Sequence, residues 1–89
     1  MNNHIEAYHL SQSALADLKS AILAVLSANN GPMKNADLGR LLGLYHGHIG
    51  HQGHITRTLL ELMKSDGVVH QSEDTKEWSV NSYPNSENE

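Results

Sequence analysis

Residues 45–54 read Tyr-His-Gly-His-Ile-Gly-His-Gln-Gly-His and hold four of the chain's seven histidines. Histidine binds metals, shuttles protons and changes charge near neutral pH. Glycine lets a backbone bend sharply or approach another group closely. Three of these imidazoles, His48, His51 and His54, recur every third residue, so a folded loop could bring them onto one zinc or nickel ion. The spacing alone does not demand it. The closest carboxylates in sequence are Asp37 and Glu61, no HExxH motif is present, and interleaved glycines make such a loop costly to order. Catalysis has still less support. There is no nucleophile beside an evident base and no phosphate-binding Gly-Lys-Ser/Thr loop, so the expectation is a protein that is not an enzyme and needs no cofactor.

The rest of the chain must position this loop, and its composition narrows the choice. Eighty-nine residues suffice for one small domain. With no cysteine, disulfides and thiolate zinc sites are excluded. The first ten residues lack the basic and apolar segments of a secretion signal, and no apolar run approaches the roughly 20 residues that cross a membrane. A cytoplasmic protein without membrane contact is expected. The formal charge is −4, and all of it lies in residues 72–89, where Glu73, Asp74, Glu77, Glu87 and Glu89 face Lys76 alone. Residues 1–71 balance five acids against five bases, so no dense basic patch exists.

Apolar periodicity then marks the elements. Residues 1–12 are mixed and polar, a flexible arm unless Ile5, Tyr8 and Leu10 dock on the body. From Ser13, Leu15, Leu18, Ile22, Val25 and Leu26 form one helical stripe, capped by Ser11 or Ser13 and ended by Asn29-Asn30-Gly31-Pro32. Met33 and Lys34 make an extended link. Asn35 caps a short second helix with Leu38, Leu41 and Leu42 inward and Gly43 at its end. A third helix starts between Gln52 and Ile55, with Ile55, Leu59, Leu62 and Met63 on one side and His54, Arg57, Glu61 and Lys64 opposite. Asp66-Gly67 stops it. Residues 68–71 and 77–80 are strand candidates around a polar turn, with Trp78 in the core. Residues 81–89 are low in apolar content, the pattern of a disordered acidic tail.

The order helix, link, short helix, turn, helix, hairpin resembles a winged helix-turn-helix domain of bacterial transcription regulators, mainly α with a small β-hairpin. The stretch ITRTLLELMKSDGVVHQSEDTKEWSV at 55–80 is similar to the third helix and wing of that family, through Ile55, Leu59, Leu62, Asp66, Gly67, Val68, Val69 and Trp78. KNADLGRLLGL at 34–44 is similar to its second helix. The resemblance covers about residues 13–80. The departure is the loop from Gly43 to about Gly53, longer than the usual turn of three or four residues.

That resemblance implies a DNA-binding regulator with the third helix in the major groove. It makes Gln52, His54, Thr56 and Arg57 candidates for base or phosphate contact, with Glu61 and Lys64 further along the same side. Tyr45, His46, His48 and His51 would meet phosphates from the loop, although Tyr45 would serve equally to cover the loop's underside. Lys76 stands at the wing tip beside repulsive Glu73 and Asp74. The alternatives are a winged-helix module that binds protein instead of DNA, and a histidine-loop metal sensor. A homodimer joined through the first helix and the arm fits either binding reading. If the loop faces phosphate, acidification from about pH 7 to about pH 6 should raise affinity for duplex DNA as imidazoles gain charge. An unchanged affinity in an intact fold would count against it.

Overall fold

The computed structural model describes residues 3–81 and contains three helices followed by two strands. Helix α1 spans Asn3–Ala28, α2 Asn35–Leu41 and α3 His54–Ser65, and strands β1 (Val69–Gln71) and β2 (Trp78–Val80) form an antiparallel hairpin. None of the described helices is long and apolar enough to cross a membrane. The tail predicted at 81–89 lies outside the described residues except for Asn81.

Helix α1 corrects the N-terminal reading. It begins at Asn3, so the segment read as a loose arm is helical, and Ser11 caps nothing: its hydroxyl donates to Tyr8 O inside the helix at 2.9 Å. Nor do the arm's apolar residues dock, since Ile5, Tyr8 and Leu10 are 53%, 61% and 72% exposed. Helix nucleation is costly while each further residue is cheap. The core-facing half nucleates the helix. Gln12, Leu10, Ala7 and Glu6 then carry it onward without a glycine or proline, and Glu6 in the first turn complements the helix dipole.

The core is assembled from every element. Ile22 and Leu26 of α1, Met33 of the link, Leu38 of α2, Leu59, Leu60 and Met63 of α3, Val69 of β1 and Trp78 of β2 are all buried. Met33 does more than link two helices. Its N–H donates to Trp78 O at 3.0 Å and its carbonyl accepts from Trp78 N at 2.7 Å, so it stands as a third strand position against β2. The hairpin register pairs Val69 with Val80, His70 with Ser79 and Gln71 with Trp78.

Both shorter helices end in the same hydrogen-bonded cap. At α2, Gly43 N bonds to Arg40 O and Leu44 N to Gly39 O; at α3, Gly67 N bonds to Lys64 O and Val68 N to Met63 O. This Schellman pattern needs a left-handed residue, and Gly43 and Gly67 supply it with φ of 71° and 77°. Lys19 pairs with Asp66 at 3.6 Å, tying α1 to the end of α3.

The inward face of α3 differs from the expected one. Thr56, Leu59, Leu60 and Met63 are buried, whereas Ile55 and Leu62 are 43% and 42% exposed. Leu41 of α2, also expected inward, is likewise exposed, whereas Leu38 is buried as expected and Gly39 is buried beside it. Hydrophobicity favoured Ile55 and Leu62. What decides is the opposing surface, where side-chain-free Gly39 receives Thr56. Removing a fully buried leucine side chain costs about 2–5 kcal/mol, far more than removing one at the surface. Leu60→Ala should therefore lose that much in denaturant unfolding followed by Trp78 fluorescence, while Leu62→Ala should lose less than about 1 kcal/mol. Equal losses would overturn this face assignment.

Candidate nucleic-acid interface

The loop between α2 and α3 is a series of short turns rather than a slack tether. His51 N bonds to His48 O at 2.9 Å and His54 N to His51 O at 3.3 Å, which closes two consecutive turns and leads directly into α3. Gly47 and Gly50 take positive φ within it. Gly50 N also donates to Gln52 Oε1 at 2.9 Å, and His46 Nε2 lies 2.8 Å from Gly43 O. Ile49, at the apex of the first turn, is 93% exposed.

Tyr45 fixes the base of this loop. Its ring edge lies against both helices at glycines: a Cβ at Gly39 would sit 3.5 Å from it and a Cβ at Gly53 3.7 Å. The Arg40 guanidinium stacks over the same ring at 4.3 Å, while Arg40 also reaches Asp37 at 3.4 Å. Tyr45 thus covers the underside of the loop, the second of the two roles open to it.

The helices beneath meet with no room to spare. Asn35 Nδ2 donates to Gly53 O at 3.0 Å across the junction, so Asn35 ties α2 to the start of α3 instead of capping its own helix. A Cβ at Gly53 would lie 2.5 Å from that nitrogen, and one at Gly39 2.8 Å from Thr56 Oγ1. Thr56 Oγ1 and Asn35 Oδ1 are buried without a hydrogen-bond partner among the described residues. Shape therefore holds this joint more than polar pairing does, because a buried unpaired acceptor contributes nothing and costs desolvation.

The candidate residues divide accordingly. Thr56 is fully buried and cannot reach a groove, which corrects its assignment as a DNA contact. Gln52 is half-buried with its carbonyl oxygen committed inside the loop. His46, His48, His51, His54, Arg57, Glu61 and Lys64 are exposed. Among the described residues, His48, His51, His54, Arg57 and Lys64 make no side-chain hydrogen bond or ion pair. Thr58, unmarked by the sequence, is exposed between them, its hydroxyl donating to His54 O at 3.0 Å. Arg40 was missed as well, because its role depends on a ring five residues away that only the loop's fold brings under it.

Comparison with protein-family models, curated proteins and solved structures yields no match.

Two remaining features bear on chemistry. No group of three His, Cys, Asp or Glu side chains converges among the described residues, so His48, His51 and His54 are not gathered into the metal-ligand set that their spacing allowed. At the hairpin tip, Lys76 is exposed with φ of 64° and its N–H donates to Ser72 O at 2.9 Å. Ser72 Oγ accepts from Asp74 N and Thr75 N, so the tip is ordered with Glu73 and Asp74 close to Lys76 in the chain. A pocket of about 280 Å³ lies elsewhere, between the end of α1 and β2, and is lined by Asn29, Asn30, Ser27, Ser79 and apolar neighbours, with no ionisable side chain.

The close approach at Gly39 makes a direct test of the joint. Overpacking a tight contact costs roughly 1–3 kcal/mol. Gly39→Ala should lower stability by that amount, and Thr56→Ala placed in the same chain should recover part of the loss. Strictly additive losses in thermal unfolding would show that the two positions do not collide.

Proposed function

We propose that this protein binds duplex DNA through the outer face of α3 and the histidine loop that leads into it, in the manner of a winged helix-turn-helix transcription regulator. One observation carries the reading: His54, Arg57, Thr58, Glu61 and Lys64 leave the outer side of α3 polar and exposed along its length. The turns that present His48 and His51 run straight into the same helix start. A helix packed on one side and polar on the other is what a major groove admits. The contact set is then His48, His51, His54, Arg57 and Lys64, with His46 and Lys76 at its margins. Arg57 would supply base or phosphate contact and the imidazoles hydrogen-bond donors to phosphate.

Few full charges take part, so the affinity is expected to be modest and its salt dependence shallow. Three phosphate-neutralising bases give a slope of about −3 in log affinity against log salt. Fluorescence anisotropy with a random duplex of about 20 base pairs at low salt should show binding with that slope, and Arg57→Ala should reduce the slope by about 1. No affinity at about 50 mM salt, with the fold intact, would sink the proposal.

A protein-binding module is the second reading, favoured by exposed apolar groups in the loop and on α3. Ile49 is 93% exposed in the loop, and Ile55 and Leu62 are 43% and 42% exposed on α3. Apolar groups at these levels of exposure suit a protein partner better than a phosphate backbone.

A further inference from the structure

The segment Asn29-Asn30-Gly31-Pro32 that ends α1 holds two neighbours that can react with each other. The side-chain amide of an asparagine is an electrophile at Cγ, and the backbone nitrogen of the next residue can reach it to close a five-membered ring. In a folded chain this needs a nitrogen free of hydrogen bonds, a following residue that does not shield it, and a backbone able to bend.

Asn30 and Gly31 meet these conditions. Both are exposed and lie outside the helices and strands. Among the described residues, neither the Gly31 N–H nor the Asn30 side chain makes a hydrogen bond. A Cβ at Gly31 would meet nothing within 4 Å, so open space surrounds the position, and glycine bends at little steric cost. The groove between the end of α1 and β2, which both residues line, has no ionisable side chain in its walls. No carboxylate there opposes the nitrogen anion through which such a ring closes.

The other pairs of this type are held back. Asp66-Gly67 has the same spacing, but Gly67 N donates to Lys64 O at 2.9 Å in the cap of α3. The Asp66 carboxylate, paired with Lys19 at 3.6 Å, is also a poor electrophile while it is charged. The Asn29 amide donates to Gly31 O, and the residue after it is not glycine. Asn35 and Asn81 are tied to Gly53 O and Gly67 O and also lack a following glycine.

We propose that Asn30 is a site of self-modification. Gly31 N, having lost its proton to base, attacks Asn30 Cγ and forms the N–Cγ bond. The Cγ–Nδ2 bond breaks, and the amide nitrogen takes up a proton and leaves as ammonia. Water then opens the succinimide. Cleavage at Cγ gives an aspartate at position 30, whereas cleavage at the main-chain carbonyl gives an isoaspartate with Cβ in the backbone. Either product puts one negative charge into a groove that has none. The second also lengthens a link fixed at one end by buried Leu26 and at the other by the two Met33–Trp78 backbone bonds.

Kept folded in mildly alkaline buffer, the full chain should release ammonia and gain a species one charge more acidic on isoelectric focusing. In heavy-oxygen water, peptide mapping should find the label at position 30 and not at position 66. Asn30→Gln should keep the original band over the same time, and Gly31→Ala should slow the change severalfold. Asn30→Asp should focus at the acidic position from the start, with Trp78 fluorescence unchanged. In denaturant, which removes the cap at Gly67, position 66 should take up label too. A wild-type chain that keeps its band would overturn the proposal. So would an acidic species that forms as fast in Asn30→Gln, or label appearing equally at positions 30 and 66 of the folded chain.

Discussion

Helices α2 and α3 meet at two positions where one partner has no side chain, and the candidate interface depends on that contact. Thr56 enters the space above Gly39, and the Asn35 amide reaches Gly53 O because nothing projects from Gly53. A seven-residue helix cannot persist by its own hydrogen bonds. Leu38 buried in the core and Gly39 buried against α3 hold it in place. Once α2 is fixed, Tyr45 can lie over both glycines with Arg40 stacked on its ring. The loop beyond then closes as turns. Loosening the joint would free the histidines and the start of α3 together.

A second constraint comes from Met33 and Trp78. Two reciprocal backbone bonds make Met33 a strand position, and the buried indole beside it packs with Ile22 and Leu26 of α1. The hairpin is thereby tied to the α1–α2 link as well as to the end of α3. A two-stranded hairpin is marginal in isolation. Here a third strand position and a helix face support it, which is why strands of only three residues suffice.

The sequence made much of this legible. Element order, the two glycine stops at Gly43 and Gly67, the polar hairpin turn and the buried Trp78 follow from periodicity and turn chemistry, which act locally. The misread positions depended on what lies opposite. Ile55 and Leu62 look like core by composition, and Thr56 looks like surface, until Gly39 is seen to leave a space of threonine's size. Leu41 is apolar and periodic, yet α2 ends at that residue and turns it outward. The length of α1 escaped for another reason. Residues 3–12 carry no core pattern, and only the cooperative growth of a helix already nucleated downstream makes them helical. The candidate site was legible in the same measure. Exposed His48, His51, His54, Arg57 and Lys64 follow from residue type and spacing, whereas Tyr45, Gln52 and Arg40 acquire their roles from the loop's fold.

The loop's glycines and histidines fit the proposed recognition in different ways. A body whose acids and bases cancel has little long-range attraction for a polyanion. Affinity must then come from donors that are already in place, because ordering a floppy loop on binding would consume the few contacts available. The turns closed at His51 N and His54 N meet that requirement before any partner arrives. Positive φ at Gly50 permits the first of those turns, Gly47 bends the chain just before it, and the buried joint beneath keeps them oriented. On this view the repeat's spacing reflects the turns and the joint beneath them: Gly47 and Gly50 bend the chain, Gly53 leaves room for Asn35, and the histidine after each glycine is exposed. That accounts for a three-residue period without a metal ion at its centre, and it makes pre-organisation, rather than charge density, the source of whatever affinity the surface has.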